Sequence, residues 1–256
     1  MKICHFLYKN KTYWGKLSDG LVFPFLDFEL SEINSNSRTS EVGIETKFLK
    51  FLLPVAPSKI VCVGRNYAEH ATELGNEIPK SPLLFLKAPS ALISENDSIM
   101  IPEQSNQVEH EGELAIVIGK KCQKLTIQDN PYEYVLGYTC LNDVTARDLQ
   151  KLDVQFTRAK SFDTFCPLGS IIETDLKVSN LRVQTRVNGV VKQDGNTSQM
   201  VFSVDFLIRY ISNQMTLLPG DIIATGTPSG VSKLNVGDIC EVEIEGIGCL
   251  INPISQ

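Results

Sequence analysis

The densest group of carboxylates in the sequence comes directly before an apolar run. Glu111 and Glu113 stand two residues apart ahead of residues 114–118, and side chains at that spacing on a β-strand share one face. Asp143 adds a third carboxylate where a predicted strand passes into a predicted helix. Three carboxylates without a His or Cys ligand favour a hard cation, Mg²⁺, Mn²⁺ or Ca²⁺, over zinc. A solvated strand edge for the glutamates and a helix N-cap for Asp143 are the alternatives.

A histidine and a glutamate three residues apart form a second candidate group. If residues 67–74 are helical, as their pattern predicts, His70 and Glu73 lie on the same helix face and can touch. A carboxylate beside an imidazole orients the ring and favours its charged form, as a general base requires. These two residues by themselves favour the alternative, an ion pair on the protein surface.

Two more features could belong to a site. Lys160 lies among apolar and aromatic residues, where its ammonium group could neutralise a carboxylate-rich pocket, although most lysines are solvated. Residues 226–230 form a glycine-bracketed loop after a predicted strand, and small residues there let a ligand approach hydroxyl and backbone N–H groups closely. A plain tight turn is the alternative, and the loop lacks the residue order of a phosphate-binding P-loop.

Short β-branched runs separated by Gly- and Pro-rich turns must position these residues. The pattern favours a mostly-β domain with a few helices over regular βαβ units. Pro54-Val55-Ala56-Pro57 marks a boundary between a small β-rich segment, residues 1–55, and a larger domain, residues 56–256. The predicted strands are residues 2–8, 11–17, 21–25, 60–63, 113–118, 134–141, 170–173, 182–187, 221–225 and 239–244. The predicted helices are residues 46–53, 67–74, 144–151, with Asp143 or Thr145 as its N-cap, and 204–211.

The composition is that of an ordinary globular protein, with 43% hydrophobic and 21% charged residues, which excludes an intrinsically disordered chain. A net charge of −6 argues against a nucleic-acid-binding surface. No apolar run approaches the ~20 residues that cross a bilayer, and no signal peptide is expected. The seven cysteines form no C-x-x-C pair, so they predict neither a zinc site nor a disulfide framework. We therefore expect a cytoplasmic protein that binds neither nucleic acid nor membrane.

In their order along the chain, these motifs resemble those of the fumarylacetoacetate hydrolase family. The resemblance covers residues 59–252, whereas the first 55 residues match no motif and are similar only to the small N-terminal segment of many members. The motifs are Gly64-Arg65-Asn66-Tyr67 with His70 and Glu73, then Glu111-x-Glu113, Asn142-Asp143-Val144-Thr145-Ala146-Arg147-Asp148-Leu149-Gln150, Ala159-Lys160-Ser161-Phe162-Asp163 and Thr225-Gly226-Thr227-Pro228.

The resemblance implies a fold and a role for each site residue. The implied fold is of the α+β class and mostly β, a mixed β-roll or barrel preceded by the small β-rich segment, in a protein that forms homodimers. The implied metal ligands are Glu111, Glu113 and Asp143, holding Mg²⁺ or Mn²⁺, with Ca²⁺ as a substitute in crystals. The implied catalytic residues are Lys160 beside the metal and the acid–base pair His70 and Glu73 on a lid, residues 66–82. The implied substrate contacts are Arg65, Arg147, Gln150 and Thr227.

The implied activity is that of a metal-dependent enzyme acting on small 2-oxo acids. The carboxylate and adjacent carbonyl of such an acid can chelate one cation, which then stabilises an enolate. The His70–Glu73 pair slightly favours activation of water to hydrolyse the C–C bond of an acylpyruvate, a 2,4-dioxo acid. Isomerisation of 2-hydroxyhepta-2,4-diene-1,7-dioate or 5-carboxymethyl-2-hydroxymuconate and decarboxylation of oxaloacetate need the same groups. A non-catalytic metal-binding scaffold is the alternative from a different class.

Overall fold

β-Strands are the main regular secondary structure of the described chain. The computed structural model describes residues 1–27, 33 and 36–256, and the β-branched runs there form strands as their pattern predicts. The strands are β1 (Lys2–Tyr8), β2 (Lys11–Ser18), β3 (Leu21–Pro24), β4 (Ile44–Glu45), β5 (Lys50–Phe51), β6 (Ile60–Gly64), β7 (Leu83–Lys87), β8 (Leu92–Ile93), β9 (Ile99–Met100), β10 (Val108–Glu109), β11 (Gly112–Ile118), β12 (Val135–Asn142), β13 (Thr145–Ala146), β14 (Cys166–Pro167), β15 (Ile171–Glu173), β16 (Arg182–Val187), β17 (Val190–Asn196), β18 (Ile222–Ala224), β19 (Ile239–Ile244) and β20 (Gly248–Ser255). The α-helices are α1 (Ala68–Glu73), α2 (Arg147–Leu152), α3 (Thr157–Lys160) and α4 (Val204–Gln214).

Two sheets contain the longer strands. One sheet has eleven strands, in the order β4-β3-β2-β1-β15-β12-β11-β18-β6-β7 with β5 paired to β1, and the other has the order β17-β16-β19-β20-β9. The first sheet is mixed, because β18 and β6 run parallel while their other neighbours are antiparallel. The mostly-β, α+β fold is thereby confirmed. Within the described residues the path of the large sheet stays open, so these strands do not close into a barrel.

Strand β11 is buried on both faces. Leu114 and Ile116 pack with α4 and with the second sheet, whereas Ala115 and Val117 pack on the opposite side with β6 and β18. An unbroken apolar run is typical of a strand covered from both sides. Since a shift of one residue would exchange the two cores, this packing sets the register of β11 and the direction of Glu113 near its start.

The prediction of a helix at residues 46–53 is wrong. A single 3₁₀ turn, Thr46–Phe48, is followed by β5, which pairs with β1 through Phe6 and Phe51. Pairing with a strand that is distant in sequence overrides the local helical preference of this segment.

The helix predicted for residues 144–151 exists but begins later. Its first residue is Arg147 and the preceding Ala146 occupies the N-cap position. The reason is that β13 pairs with β10, with Thr145 opposite Glu109, which keeps the chain extended up to Ala146. Neither Asp143 nor Thr145 therefore caps this helix, and the N-cap interpretation of Asp143 is wrong.

The N-terminal strands continue the large sheet. β1 pairs with β15 from Lys2 opposite Glu173 to Cys4 opposite Ile171, and β2, β3 and β4 extend the sheet outward from β1. The division into residues 1–55 and 56–256 stays a prediction. None of the described helices is long and apolar enough to cross a membrane.

Candidate active site

Three buried carboxylates meet at one end of β11 and β12. The antiparallel register places Gly112 opposite Asn142. Glu111 and Glu113 are the neighbours of Gly112, and Asp143 is the neighbour of Asn142, so the three acids lie close together. The backbone N–H of Asp143 donates to the Glu111 carbonyl oxygen at 2.8 Å. One carboxylate oxygen from each acidic residue lies within 4.8 Å of the others, and the three side chains are buried. The interpretation of the glutamates as a solvated strand edge is therefore wrong.

Two buried lysines face this group of carboxylates. The Lys160 ammonium donates to Glu111 Oε2 and to Asp143 Oδ2, at 2.7 Å each. Lys87, at the end of β7, donates to Asp143 Oδ1 at 2.6 Å and to the Val144 carbonyl oxygen at 3.1 Å. Lys87 is not among the site residues predicted from the sequence, because its only local signal is a charged residue at the end of an apolar strand. The position of Lys160 agrees with the expected lysine of a carboxylate-rich pocket.

Each guanidinium nitrogen of Arg147 donates a hydrogen bond to a neighbouring side chain. Its Nε donates to Glu109 Oε2 at 2.8 Å and its Nη2 donates to Glu111 Oε1. Its Nη1 donates to the Gln150 side-chain oxygen at 2.5 Å, which leaves the Gln150 amide nitrogen as a donor for a ligand. Glu109 is a further buried acid that the sequence analysis did not single out. Arg147 thus orients Glu111, while its predicted contact with a substrate stays a prediction.

The carboxylates differ in their electrostatic surroundings. Burial raises the pKa of Glu113 well above its ordinary value, and the charges of Asp143 and Glu111 raise it further against the lowering effect of Lys160 and of the Gly226 N–H at 2.7 Å. Although burial also opposes ionisation of Glu111, the Lys160 ammonium holds its pKa well below the usual range. Negative charge is therefore in excess at Glu113, because no lysine or arginine among the described residues donates to its carboxylate.

This donor set fits a divalent cation. Carboxylate oxygens are the ligands that Mg²⁺, Mn²⁺ and Ca²⁺ prefer, and a nearby cation would relieve the repulsion that raises the pKa of Glu113. Apart from Glu113, the charged groups of the buried cluster are three acids and three cations, which compensate one another. The whole cluster therefore has one net negative charge when all its groups are ionised. The cluster consists of the acids Glu109, Glu111, Glu113 and Asp143 and the cations Lys87, Arg147 and Lys160.

The predicted helical pair lies at the same site. On α1, His70 Nδ1 is 3.2 Å from Glu73 Oε2, and His70 is buried whereas the Glu73 side chain keeps 33% of its surface exposed. Both Glu73 oxygens also accept from the Gly230 N–H, at 3.0 and 3.2 Å. The interpretation of His70 and Glu73 as an ion pair on the protein surface is therefore wrong for His70, which is buried. That residues 66–82 act as a lid stays a prediction.

A cavity of about 200 Å³ joins these groups. His70 and the three carboxylates line it, together with all four residues for which the sequence predicts substrate contact: Arg65, Arg147, Gln150 and Thr227. Arg65 and Lys151 line the cavity too, and within the described part of the chain no hydrogen bond or ion pair engages their side-chain charges. Phe85 and Phe156 supply apolar wall and meet edge to face.

Comparison with known proteins places this site in a family. Residues 59–255 match the model of the fumarylacetoacetate (FAA) hydrolase C-terminal domain. Oxaloacetate tautomerase YisK of Bacillus subtilis is 44% identical over 215 residues, which cover 80% of this chain and 71% of the relative.

Two solved structures show the same architecture. A 5-carboxymethyl-2-hydroxymuconate delta-isomerase from Mycobacterium smegmatis has a TM-score of 0.89 and 37% identity, covering 100% of this chain and 99% of the other. A fumarylpyruvate hydrolase from Pseudomonas aeruginosa, solved in complex with Mn²⁺ and pyruvate, has a TM-score of 0.74 and 29% identity, covering 80% of this chain and 91% of the other.

Proposed function

Because this chain belongs to the fumarylacetoacetate hydrolase family, we propose that it moves a proton at C3 of small 2-oxo acids with the help of a divalent cation. The reaction that the site supports best is interconversion of the keto and enol forms of a 2-oxo dicarboxylate such as oxaloacetate. The observation that carries the proposal is that the His70 imidazole and three buried carboxylates line one small cavity. The name of the Bacillus relative supports the same substrate.

Glu111, Glu113 and Asp143 would hold the cation, Mg²⁺ or Mn²⁺. When bound, such an ion polarises a 2-oxo group and stabilises negative charge on its oxygen. Lys160 donates to one oxygen of Asp143 at 2.7 Å and Lys87 donates to the other at 2.6 Å. This ligand is therefore oriented before a substrate arrives. An oriented ligand needs no rearrangement at the moment of reaction.

His70 is the group that would carry the proton. Its Nδ1 faces Glu73, which leaves Nε2 as the nitrogen available to a ligand in the cavity. In enolisation Nε2 takes the proton from C3 and delivers it to the 2-oxo oxygen. In ketonisation Nε2 takes the proton of the enol hydroxyl and delivers it to C3. Glu73 stabilises the imidazolium in between, and the Gly230 N–H fixes the orientation of Glu73.

The charge of the cavity favours a substrate with two carboxylates. With all its groups ionised, the cluster around the three acids carries one net negative charge, which a bound divalent cation would convert to one net positive charge. That charge suits the carboxylate next to the 2-oxo group. Arg65 and Lys151 lie in the same cavity without a partner among the described residues, and their charges suit a second, distal carboxylate.

Ketonisation of enol-oxaloacetate tests the proposal, because the conjugated enol absorbs in the ultraviolet and the ketone does not. Mg²⁺ or Mn²⁺ should be required, and EDTA should abolish the activity. His70→Ala should lower kcat/KM by about 10²–10⁴-fold, the usual effect of losing a general base. His5→Ala is the matched control, since His5 lies on β1 and bonds the Leu53 carbonyl oxygen. An unchanged rate in His70→Ala, or in EDTA, would contradict the proposal.

Hydrolysis of an acylpyruvate is a second candidate. Phe85 and Phe156 supply an apolar wall for an acyl group, and the partly exposed Glu73 lies where water can reach the His70 pair. The fumarylpyruvate hydrolase neighbour, solved with Mn²⁺ and pyruvate, supports this chemistry. Release of pyruvate from acetylpyruvate or fumarylpyruvate at a rate above that of oxaloacetate ketonisation would make hydrolysis the main activity.

A further inference from the structure

A buried glutamine from the second sheet reaches the wall of the candidate active site. Gln193 lies on β17 and is fully buried. Its side-chain oxygen accepts from the Gly112 N–H at 3.0 Å and from His110 Nδ1 at 3.1 Å. Its side-chain nitrogen donates to Thr227 Oγ1 and to the Pro228 carbonyl oxygen, at 2.7 Å each. Two donated and two accepted bonds use the main capacity of a primary amide.

The partners determine which way this amide points. The Gly112 N–H can only donate and the Pro228 carbonyl can only accept, so a flipped amide would lose both bonds. His110 must also donate to the amide oxygen through Nδ1, and Ser232 Oγ lies 2.8 Å from its other nitrogen.

The same bonds determine what Thr227 offers to the cavity. Thr227 Oγ1 lies 2.9 Å from the Gly112 carbonyl oxygen, which can only accept, so the hydroxyl proton points there. Gln193 donates to one oxygen lone pair of this hydroxyl. One lone pair is left, and Thr227 lines the cavity. Toward a ligand, the side chain of Thr227 is therefore an acceptor and not a donor.

We propose that Gln193, which bonds both Gly112 and Thr227, is a positioning residue that holds the Thr227 side chain where its hydroxyl donates to the Gly112 carbonyl, and so favours ligands that present an O–H group over their carbonyl counterparts. The inference rests on the proposed function and deepens it, because the enol of a 2-oxo acid has such a hydroxyl and the keto form has none. A carbonyl oxygen placed at the same point would face a lone pair and gain no hydrogen bond.

Gly112 ties this arrangement to the three carboxylates. Gln193 and Thr227 bond to its N–H and its carbonyl oxygen, and Gly112 separates Glu111 from Glu113 in sequence. A Cβ at this position would lie 2.1 Å from Thr185 Oγ1, so only glycine fits. Gly112 thus holds the Thr227 hydroxyl in a fixed position relative to the carboxylates of Glu111 and Glu113.

The test compares equilibrium binding of L- and D-lactate with that of pyruvate to the Mn²⁺-loaded protein by calorimetry. Lactate presents a hydroxyl where pyruvate presents a carbonyl, and the ratio of the two Kd values reports the preference. Gln193→Glu keeps the acceptor oxygen for Gly112 and loses donation to Thr227 and to the Pro228 carbonyl. It should shift the ratio toward pyruvate by about three- to tenfold, the effect of one hydrogen bond. Gln193→Leu should do the same.

A double-mutant cycle separates positioning from a general structural role. Thr227→Val should shift the ratio as much as Gln193→Glu, and the double variant should shift it no further. Gln184→Leu is the matched control, because Gln184 lies on the adjacent β16 and bonds Arg186, and its ratio should equal that of the wild type. Mn²⁺ affinity should stay within about threefold in every variant.

Three results would overturn the inference: an unchanged ratio in both Gln193 variants, additive shifts in the double variant, or loss of Mn²⁺ binding along with Gln193. No turnover is needed for these measurements. A protein that fails to ketonise oxaloacetate but shows the non-additive shift would contradict the proposed function alone. An active enzyme with the same ratio in all variants would contradict the role of Gln193 alone.

Discussion

Glu113 differs from the other two carboxylates of the site in the charges that face it. Glu111 and Asp143 share the Lys160 ammonium, and Glu113 accepts only from the Gly226 N–H in the described structure. Burial and two neighbouring carboxylates raise its pKa, so its ionised form depends most on a bound cation. Removal of the Glu113 charge should therefore lower the affinity for the metal and raise the stability of the metal-free protein.

Substitution of Glu113 tests this opposition. Glu113→Gln should lower Mn²⁺ affinity at least tenfold, because an anionic ligand is lost. The same change should raise the free energy of unfolding of the EDTA-treated protein by about 1 kcal/mol at pH 7, since the repelled charge is absent. Calorimetric Mn²⁺ titration and thermal unfolding measure the two effects. Glu103→Gln, at an exposed acid, is the control, and wild-type Mn²⁺ affinity in Glu113→Gln would remove this residue from the metal site.

At the scale of secondary-structure elements, two parallel strands deliver cavity residues to the same edge. β6 leads to Arg65 and β18 leads to Thr227, and Ile60 pairs with Ile222 at their start. Asp221 joins the opposite ends of these strands. It accepts from Ser58 N and Oγ at 2.9 and 2.7 Å, from Leu218 N at 2.8 Å and from the Lys59 side chain.

Loss of the Asp221 charge should destabilise the protein in a pH-dependent way. Burial opposes its ionisation, but bonds from Lys59, Ser58 and Leu218 hold its pKa below the ordinary value. A lowered folded-state pKa adds stability above the unfolded pKa, about 3.9, and the gain disappears as pH falls through the folded pKa. Asp221→Asn should therefore cost about 2–3 kcal/mol at pH 7 and much less near pH 2. Urea unfolding at both pH values measures the difference, and a cost independent of pH would contradict this role of the charge.

The α1 segment is expected to close over the cavity when ligand binds. Its described contacts with the facing loop are few and polar: the Gly230 N–H donates to Glu73, and Ser229 Oγ donates to Glu69 at 3.2 Å. Such segments open at low free-energy cost. Oxalate with Mg²⁺ should slow amide hydrogen exchange in residues 66–82 by at least about tenfold. Exchange in α4, which packs in the core, should not change. Equal exchange in residues 66–82 with and without ligand would exclude a lid.

At the scale of the whole molecule, the cavity depends on contacts between distant parts of the chain. Residues from Val63 to Thr227 line it, and Gln193 reaches its wall from the second sheet. Next to the lining residue Lys151, the exposed fractions of Leu152 and Val154 are 73% and 92%. Apolar side chains so exposed, which lie in sequence between the lining residues Lys151 and Phe156, form a surface that another chain can cover.

The homodimer that the family resemblance implies stays a prediction, and sedimentation equilibrium tests it. We expect a mass of twice 28.4 kDa at micromolar concentration. Val154→Glu should weaken the association, because a charge would be buried in an apolar contact. Glu103→Gln again serves as the control. A wild-type protein that sediments as a monomer at every concentration would exclude the dimer.

Several features could be predicted from local sequence. The β-branched runs placed β1, β2, β6, β11, β16 and β19 within one or two residues of their observed bounds, because alternation and apolar runs reflect burial directly. The spacing of Glu111 and Glu113 predicted a shared face, and the spacing of His70 and Glu73 predicted a helical pair. These are properties of a few neighbouring residues, so the sequence alone was sufficient for them.

Tertiary structure decided what depends on distant residues. Lys87 reaches Asp143 across 56 positions, and Gln193 reaches Gly112 across 81; neither has a local pattern that differs from an ordinary strand residue. The late start of α2 likewise follows from β10 pairing with β13. The sequence thus determined which groups could do the chemistry, whereas long-range strand pairing decided which charges surround them, because pKa and hydrogen-bond direction depend on neighbours in space.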